Sequence, residues 1–137
     1  FLRAETMHGL FTYLEDNPSM HAPETSYHER SHGQAFAEVL AHKLVHMVRS
    51  GGFLVLDEPE AGLSLSSQIN LAHQLAQLRT DGVQVLMATH SPVLSATPGA
   101  QIIELDDEGF QPRRWDELMV VALYRRFLAD PAYFGLE

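Results

Sequence analysis

Apolar residues recur through 34–49 at helical spacing, at Phe36, Val39, Leu40, Leu44, Met47 and Val48. This pattern predicts an amphipathic helix that ends at Ser50-Gly51-Gly52. The run Phe53-Leu54-Val55-Leu56-Asp57 follows, apolar without alternation and bounded by glycine and acid, as expected of a strand buried on both faces of a parallel sheet. Residues 66–79 return to helical spacing through Ile69, Leu71, Ala72, Leu75 and Leu78, with Ser66 or Ser67 as cap and Asp81-Gly82 as stop. A second buried strand is predicted over 83–88, so strand, helix and strand form a crossover unit with the two strands parallel and adjacent.

The flanks are less regular. Leu10, Phe11, Tyr13 and Leu14 fit a helix that stops at Asp16-Asn17-Pro18, and residues 19–32 read as a mobile loop. Toward the carboxyl end, residues 101–105 form a third predicted strand, which Asp106-Asp107-Glu108-Gly109 turns back into a short strand near Phe110 to Arg114. Asp116 is then the expected cap of a last helix running to about Ala129, before Asp130-Pro131. The predicted class is α/β, a mostly parallel sheet flanked by helices, in a chain of 137 residues that suffices for one domain.

Composition narrows the chemistry. The chain has no cysteine, which removes disulfide frameworks and thiolate metal sites. No apolar run reaches the roughly 20 residues of a membrane-spanning helix, and no secretory signal opens the chain, so it reads as soluble and cytoplasmic. A net charge of -9 argues against a broad nucleic-acid footprint. Residues 51–112 hold most of the imbalance, with one basic group against eight acids. The chain begins at Phe1, inside what reads as a strand or core segment, and is therefore expected to be part of a larger domain.

Three segments carry candidate chemistry. Asp57-Glu58 ends the first buried strand, and in open α/β sheets ligands bind at the carboxyl ends of strands. One carboxylate there can support Mg²⁺ while its neighbour polarises an attacking water. The bland alternative is a strand running into a polar loop. His90 ends the second strand, where an imidazole can bond a terminal phosphate or simply a backbone carbonyl. Ser31-His32-Gly33-Gln34 opens the helix over 34–49, and helix amino termini bind anions, although Ser31 also suits an ordinary cap.

Order and spacing join these segments. Gln34 and Asp57 are 23 residues apart, Asp57 and His90 are 33 apart, and Pro59-Glu60-Ala61-Gly62-Leu63-Ser64 lies between. From Ser31 to Gly109 this resembles the nucleotide-binding domains of the ABC ATPase superfamily, a P-loop NTPase-like fold. Ser31-His32-Gly33-Gln34 is similar to the family's Leu-Ser-Gly-Gly-Gln signature, with Arg30 in the place of Leu and His32 in that of the first Gly. The segment Phe53 to Asp57 resembles the Walker B strand, Glu58 the catalytic glutamate, Ala61-Gly62-Leu63-Ser64 the D-loop, and His90 the switch histidine. The variants are closer to the small stand-alone AAA-family ATP-binding proteins of the RecF and SMC-like branch than to transporter subunits.

This resemblance implies an ATPase using ATP and Mg²⁺, with Asp57 at the metal, Glu58 and His90 catalytic, and Ser31, Gly33, Gln34 and Ser64 binding nucleotide. It also implies a homodimer closed through the signature and D-loop, with Ser31 and Gly33 acting on nucleotide bound to the partner. The chain divides accordingly into a helix and loop over 1–30, the motif-bearing core over 31–109, and a strand and helix over 110–137. No Gly-x-x-x-x-Gly-Lys-Ser/Thr loop occurs, and the single lysine, Lys43, lies mid-helix. In the family that loop precedes these motifs, so this chain alone is expected to hydrolyse ATP poorly. Two other readings stay open: a non-catalytic dimerising module of the same fold, and a metal-dependent phosphohydrolase using Asp57, Glu58 and His90. His42 and His46 have zinc-compatible spacing but fall on a polar helix face, while Arg113-Arg114 and Arg125-Arg126 read as solvated charge.

Overall fold

The computed structural model describes residues 2, 3 and 52–136. The helix and loop expected before residue 33, the helix over 34–49, the signature-like Ser31, Gly33 and Gln34, and the pair His42 and His46 lie outside the described residues.

Strand β1 (Leu2–Arg3) pairs with β2 (Phe53–Asp57), and β2 pairs with β3 (Gln84–Ala88), all parallel in the order β1-β2-β3. The register sets Leu2 opposite Leu56 and Asp57 opposite both Arg3 and Ala88, so the ends of the three strands align. Helix α1 (Leu65–Thr80) joins β2 to β3 as the sequence predicts. It buries Leu71, Ala72, Leu75 and Leu78, a stripe at helical spacing, together with Leu54 and Leu56 from alternate positions of β2. The same alternation leaves Phe53 exposed, and β3 exposes Leu86, so neither strand is buried on both faces as its apolar run predicts.

Helix α1 starts one residue earlier than its apolar pattern, and its cap is Ser64, not Ser66 or Ser67. The backbone of Ser64 is extended and its side chain accepts from the amide of Ser67, the usual geometry of a serine cap. Leu65, apolar and exposed at the first helical position, hides this boundary in the sequence. At the other end Gly82 takes a φ of 84°, a conformation glycine adopts without strain, and returns the chain to β3.

Beyond β3 the chain makes a short 3-10 turn (Leu94–Ala96) around the fully buried Leu94. A hairpin of β4 (Ile102–Asp106) and β5 (Gly109–Arg113) follows as a separate antiparallel sheet. Asp106 accepts from the amide of Glu108 and so builds the turn that its Asp-Asp-Glu-Gly sequence announces.

The last helix departs from expectation. Asp116 does not cap it: residues Trp115–Glu117 form their own 3-10 turn, and α2 (Met119–Ala129) begins after an extended Leu118 that offers no side-chain cap. The amide of Met119 instead donates to Glu104 Oε1 on β4, at 2.9 Å. A distant carboxylate thus satisfies the helix start, freeing Leu118 to be buried along with Val121. No described helix is long and apolar enough to cross a membrane.

Candidate functional site

The site forms where β2 and β3 end side by side. At Glu58 the chain leaves β2 with a φ of 46°, the one positive value at a non-glycine residue among those described. The Glu58 amide still donates to the carbonyl of Ala88 at 2.9 Å, which extends the β2–β3 ladder by one bond before the chain turns away. This left-handed residue turns its carboxylate toward the neighbouring strand end. The Glu58 carboxylate and the His90 imidazole meet at 3.5 Å (Oε1 to Nε2), with side chains 58% and 89% exposed. Asp57 precedes them as the last residue of β2. The structure therefore brings three of the seven candidate residues to one rim: Asp57, Glu58 and His90.

Ser64 is placed differently. Its hydroxyl is occupied as the cap of α1, with Ser66 and Ser67 hydroxyls at 2.9 Å each. The turn that carries it, Ala61 to Ser64, is nonetheless tied to the same rim by residues to which the sequence assigned no role. Glu60 Oε1 accepts from the backbone amide of His90 at 2.6 Å, a charge-assisted bond that pins the histidine's main chain. The other oxygen, Oε2, is buried and has no hydrogen-bond partner among the described residues. Gln68 donates to the Leu63 carbonyl and accepts from the Ser91 hydroxyl. From the carboxyl side, Trp115 donates its indole N–H to the Pro92 carbonyl at 2.7 Å. The one sequence cue to these contacts is polar residues flanking Pro59 and Pro92, since partners so far apart in the chain leave no periodic trace.

The donor set bears on the expected metal. Among the described residues there is no group of three or more acidic, histidine or cysteine side chains arranged to hold an ion. Asp57 and Glu58 instead offer adjacent carboxylates at a strand end, which suits Mg²⁺, a cation held by one or two carboxylates together with waters and substrate phosphates. The arginine pairs are drawn into local contacts. Arg113 bridges Glu104 and Asp106, Arg114 meets Asp116, Arg125 lies over the Trp115 ring and Arg126 over Tyr133.

Comparison with known proteins bears on the same segment. Residues 39–96, which include β2, α1, β3 and the His90 loop, match the family described as "AAA domain, putative AbiEii toxin, Type IV TA system". The chain is also similar to an uncharacterized ABC transporter ATP-binding protein of Haemophilus influenzae, 27% identical over 99 residues. The chain is related to the P-loop ATPases of ABC and AAA type. That alignment takes in 72% of this chain and 36% of the relative, so the chain spans about a third of the length of the curated relative it matches. No solved structure matches the chain. The relationship accounts for an α/β unit with parallel strands.

Proposed function

We propose that this chain is the carboxyl-terminal part of an ATP-hydrolysing domain, with the signature, Walker B, D-loop and switch segments over 31–109 and a strand and helix appended over 110–137. One observation carries the reading: the Glu58 carboxylate and the His90 imidazole lie 3.5 Å apart at the carboxyl ends of adjacent parallel strands.

In the proposed reaction a water attacks the γ-phosphate of ATP in line with the leaving oxygen. Glu58 orients that water and draws its proton, a role its exposed carboxylate has the reach to take. His90 donates a hydrogen bond to the γ-phosphate and holds it against the attacking water. Asp57 would hold Mg²⁺, which would supply positive charge to offset that of the phosphates. Positive charge is otherwise scarce here, with Arg79 the single basic residue in 51–112. Ser31, Gly33 and Gln34, at the start of a predicted helix, would bind nucleotide on a second copy of the protein. Ser64, at the exposed end of the 61–64 turn, would meet that copy at the dimer contact.

The test is Glu58→Gln in the complete protein. ATP binding is expected to persist while turnover falls by about 10²-fold or more. Unchanged turnover removes Glu58 from the chemistry, and lack of ATP turnover by the unaltered protein overturns the reading.

A further inference from the structure

We infer that Gln68 is a positioning residue, making the 61–64 turn and the His90 loop move as one body. The inference rests on the ATPase reading above and adds to it a side chain outside the reacting groups.

The Gln68 side-chain amide spans two segments. Its Nε2 donates to the Leu63 carbonyl at 3.1 Å, and its Oε1 accepts from the Ser91 hydroxyl at 2.6 Å. The orientation of the amide is fixed by chemistry, because a carbonyl can only accept and so must face the NH₂ group. Ser91 is 5% exposed and is the one buried polar residue among those described. Its oxygen also accepts from the amides of Val93 and Leu94, each at 3.1 Å, so both lone pairs and its proton are in use. A buried hydroxyl in that state has one orientation, and Gln68 is the acceptor that defines it.

This network lies next to the proposed chemistry. His90 precedes Ser91, and its own amide is held by Glu60 Oε1. The His90 amide and the adjoining Ser91 hydroxyl are thus both held from the stretch 60–68, which contains the 61–64 turn. Displacement of that turn is passed through Leu63, the planar amide and Ser91 to the imidazole. The Glu58–His90 separation then depends on how the turn is seated, and the proposed partner contact at Ser64 acts on that seat.

The experiment measures steady-state ATP turnover of the complete protein for Gln68→Leu, Ser91→Ala, their double variant, Gln68→Glu and Glu58→Gln, each well below its melting temperature. Gln68→Leu is expected to lower kcat about tenfold while KM for ATP stays within about twofold, the split expected of a misplaced catalytic group. The double variant is expected to be no slower than the slower single one. Gln68→Glu keeps an acceptor for Ser91 but loses the donor to Leu63, so it is also expected to lose turnover; it carries the test if Gln68→Leu does not fold. A merely structural amide would lower the melting temperature and leave kcat unchanged, and that result, or additive losses in the double variant, overturns the inference. Glu58→Gln separates the two claims. If it abolishes turnover while the Gln68 variants run at the wild-type rate, the inference alone fails; if the unaltered protein does not turn over ATP the ATPase reading fails, if Glu58→Gln turns over normally the Glu58–His90 mechanism fails, and either result takes this inference with it.

Discussion

Glu58 and His90 face each other at 3.5 Å although they follow different strands, because the register of β2 with β3 sets Asp57 opposite Ala88. Each residue leaves its strand just beyond that pair. The separation is thus a property of the parallel sheet, and in the proposed reaction the two side chains act as a unit.

Such a unit has a kinetic signature. His90→Ala in the complete protein is expected to slow ATP turnover by about 10²-fold, the order found when a charge-stabilising donor is removed. Adding it to Glu58→Gln should cost little more, because groups that act together are not additive. Phosphate release from the two single variants and the double variant measures this directly, and fully multiplicative losses would show that the residues act independently.

The backbone at position 58 gives a stability test. With φ at 46°, Glu58 occupies a region that costs an ordinary residue about 1–2 kcal/mol. Glu58→Gly is therefore expected to equal or exceed Glu58→Ala in stability. This reverses the usual order, in which glycine is worse by about 0.5–1 kcal/mol. Urea unfolding of both variants decides the sign.

Ser64 carries two assignments that substitution separates. As the cap of α1, Ser64→Ala is expected to cost about 1 kcal/mol and Ser64→Gly only a few tenths. If Ser64 also meets a second copy, ATP-dependent association should weaken in both variants alike, whatever their stabilities. Sedimentation with ATP, set beside urea melts, reads the two effects apart.

Glu104 and Arg113 form an ion pair of unequal partners. Arg113→Ala removes partly exposed pairings at 3.2 and 3.6 Å and is expected to cost less than about 1 kcal/mol, diminishing with added salt. Glu104→Ala also uncaps α2 and is expected to cost about 1 kcal/mol more. Glu104→Gln, which keeps an acceptor for the Met119 amide, should recover most of that difference.

These cases show which parts of the molecule are written locally. The strand at 53–57, the helix after it and the hairpin turn at Asp106-Asp107-Glu108-Gly109 follow from neighbouring residues, through continuous apolar runs, helical spacing and an Asx turn. The placement of Asp57, Glu58 and His90 on one rim was legible because the two strands that carry them were readable as parallel neighbours. The start of α2 was not, because Glu104 caps it from 15 residues upstream, and burial of Leu118 outweighed the polar signal of Asp116. Glu60 and Gln68 were hidden for the same reason. Their partners, His90 and Ser91, lie 30 and 23 residues ahead, and nothing in a one-dimensional pattern encodes that distance.

Trp115, whose indole bonds the Pro92 carbonyl, is the single tryptophan of the chain. Nature has in effect installed a fluorophore two residues of backbone away from the imidazole, under the guanidinium of Arg125. Light emitted by a native side chain can follow that loop in real time, with no dye attached and no cysteine introduced.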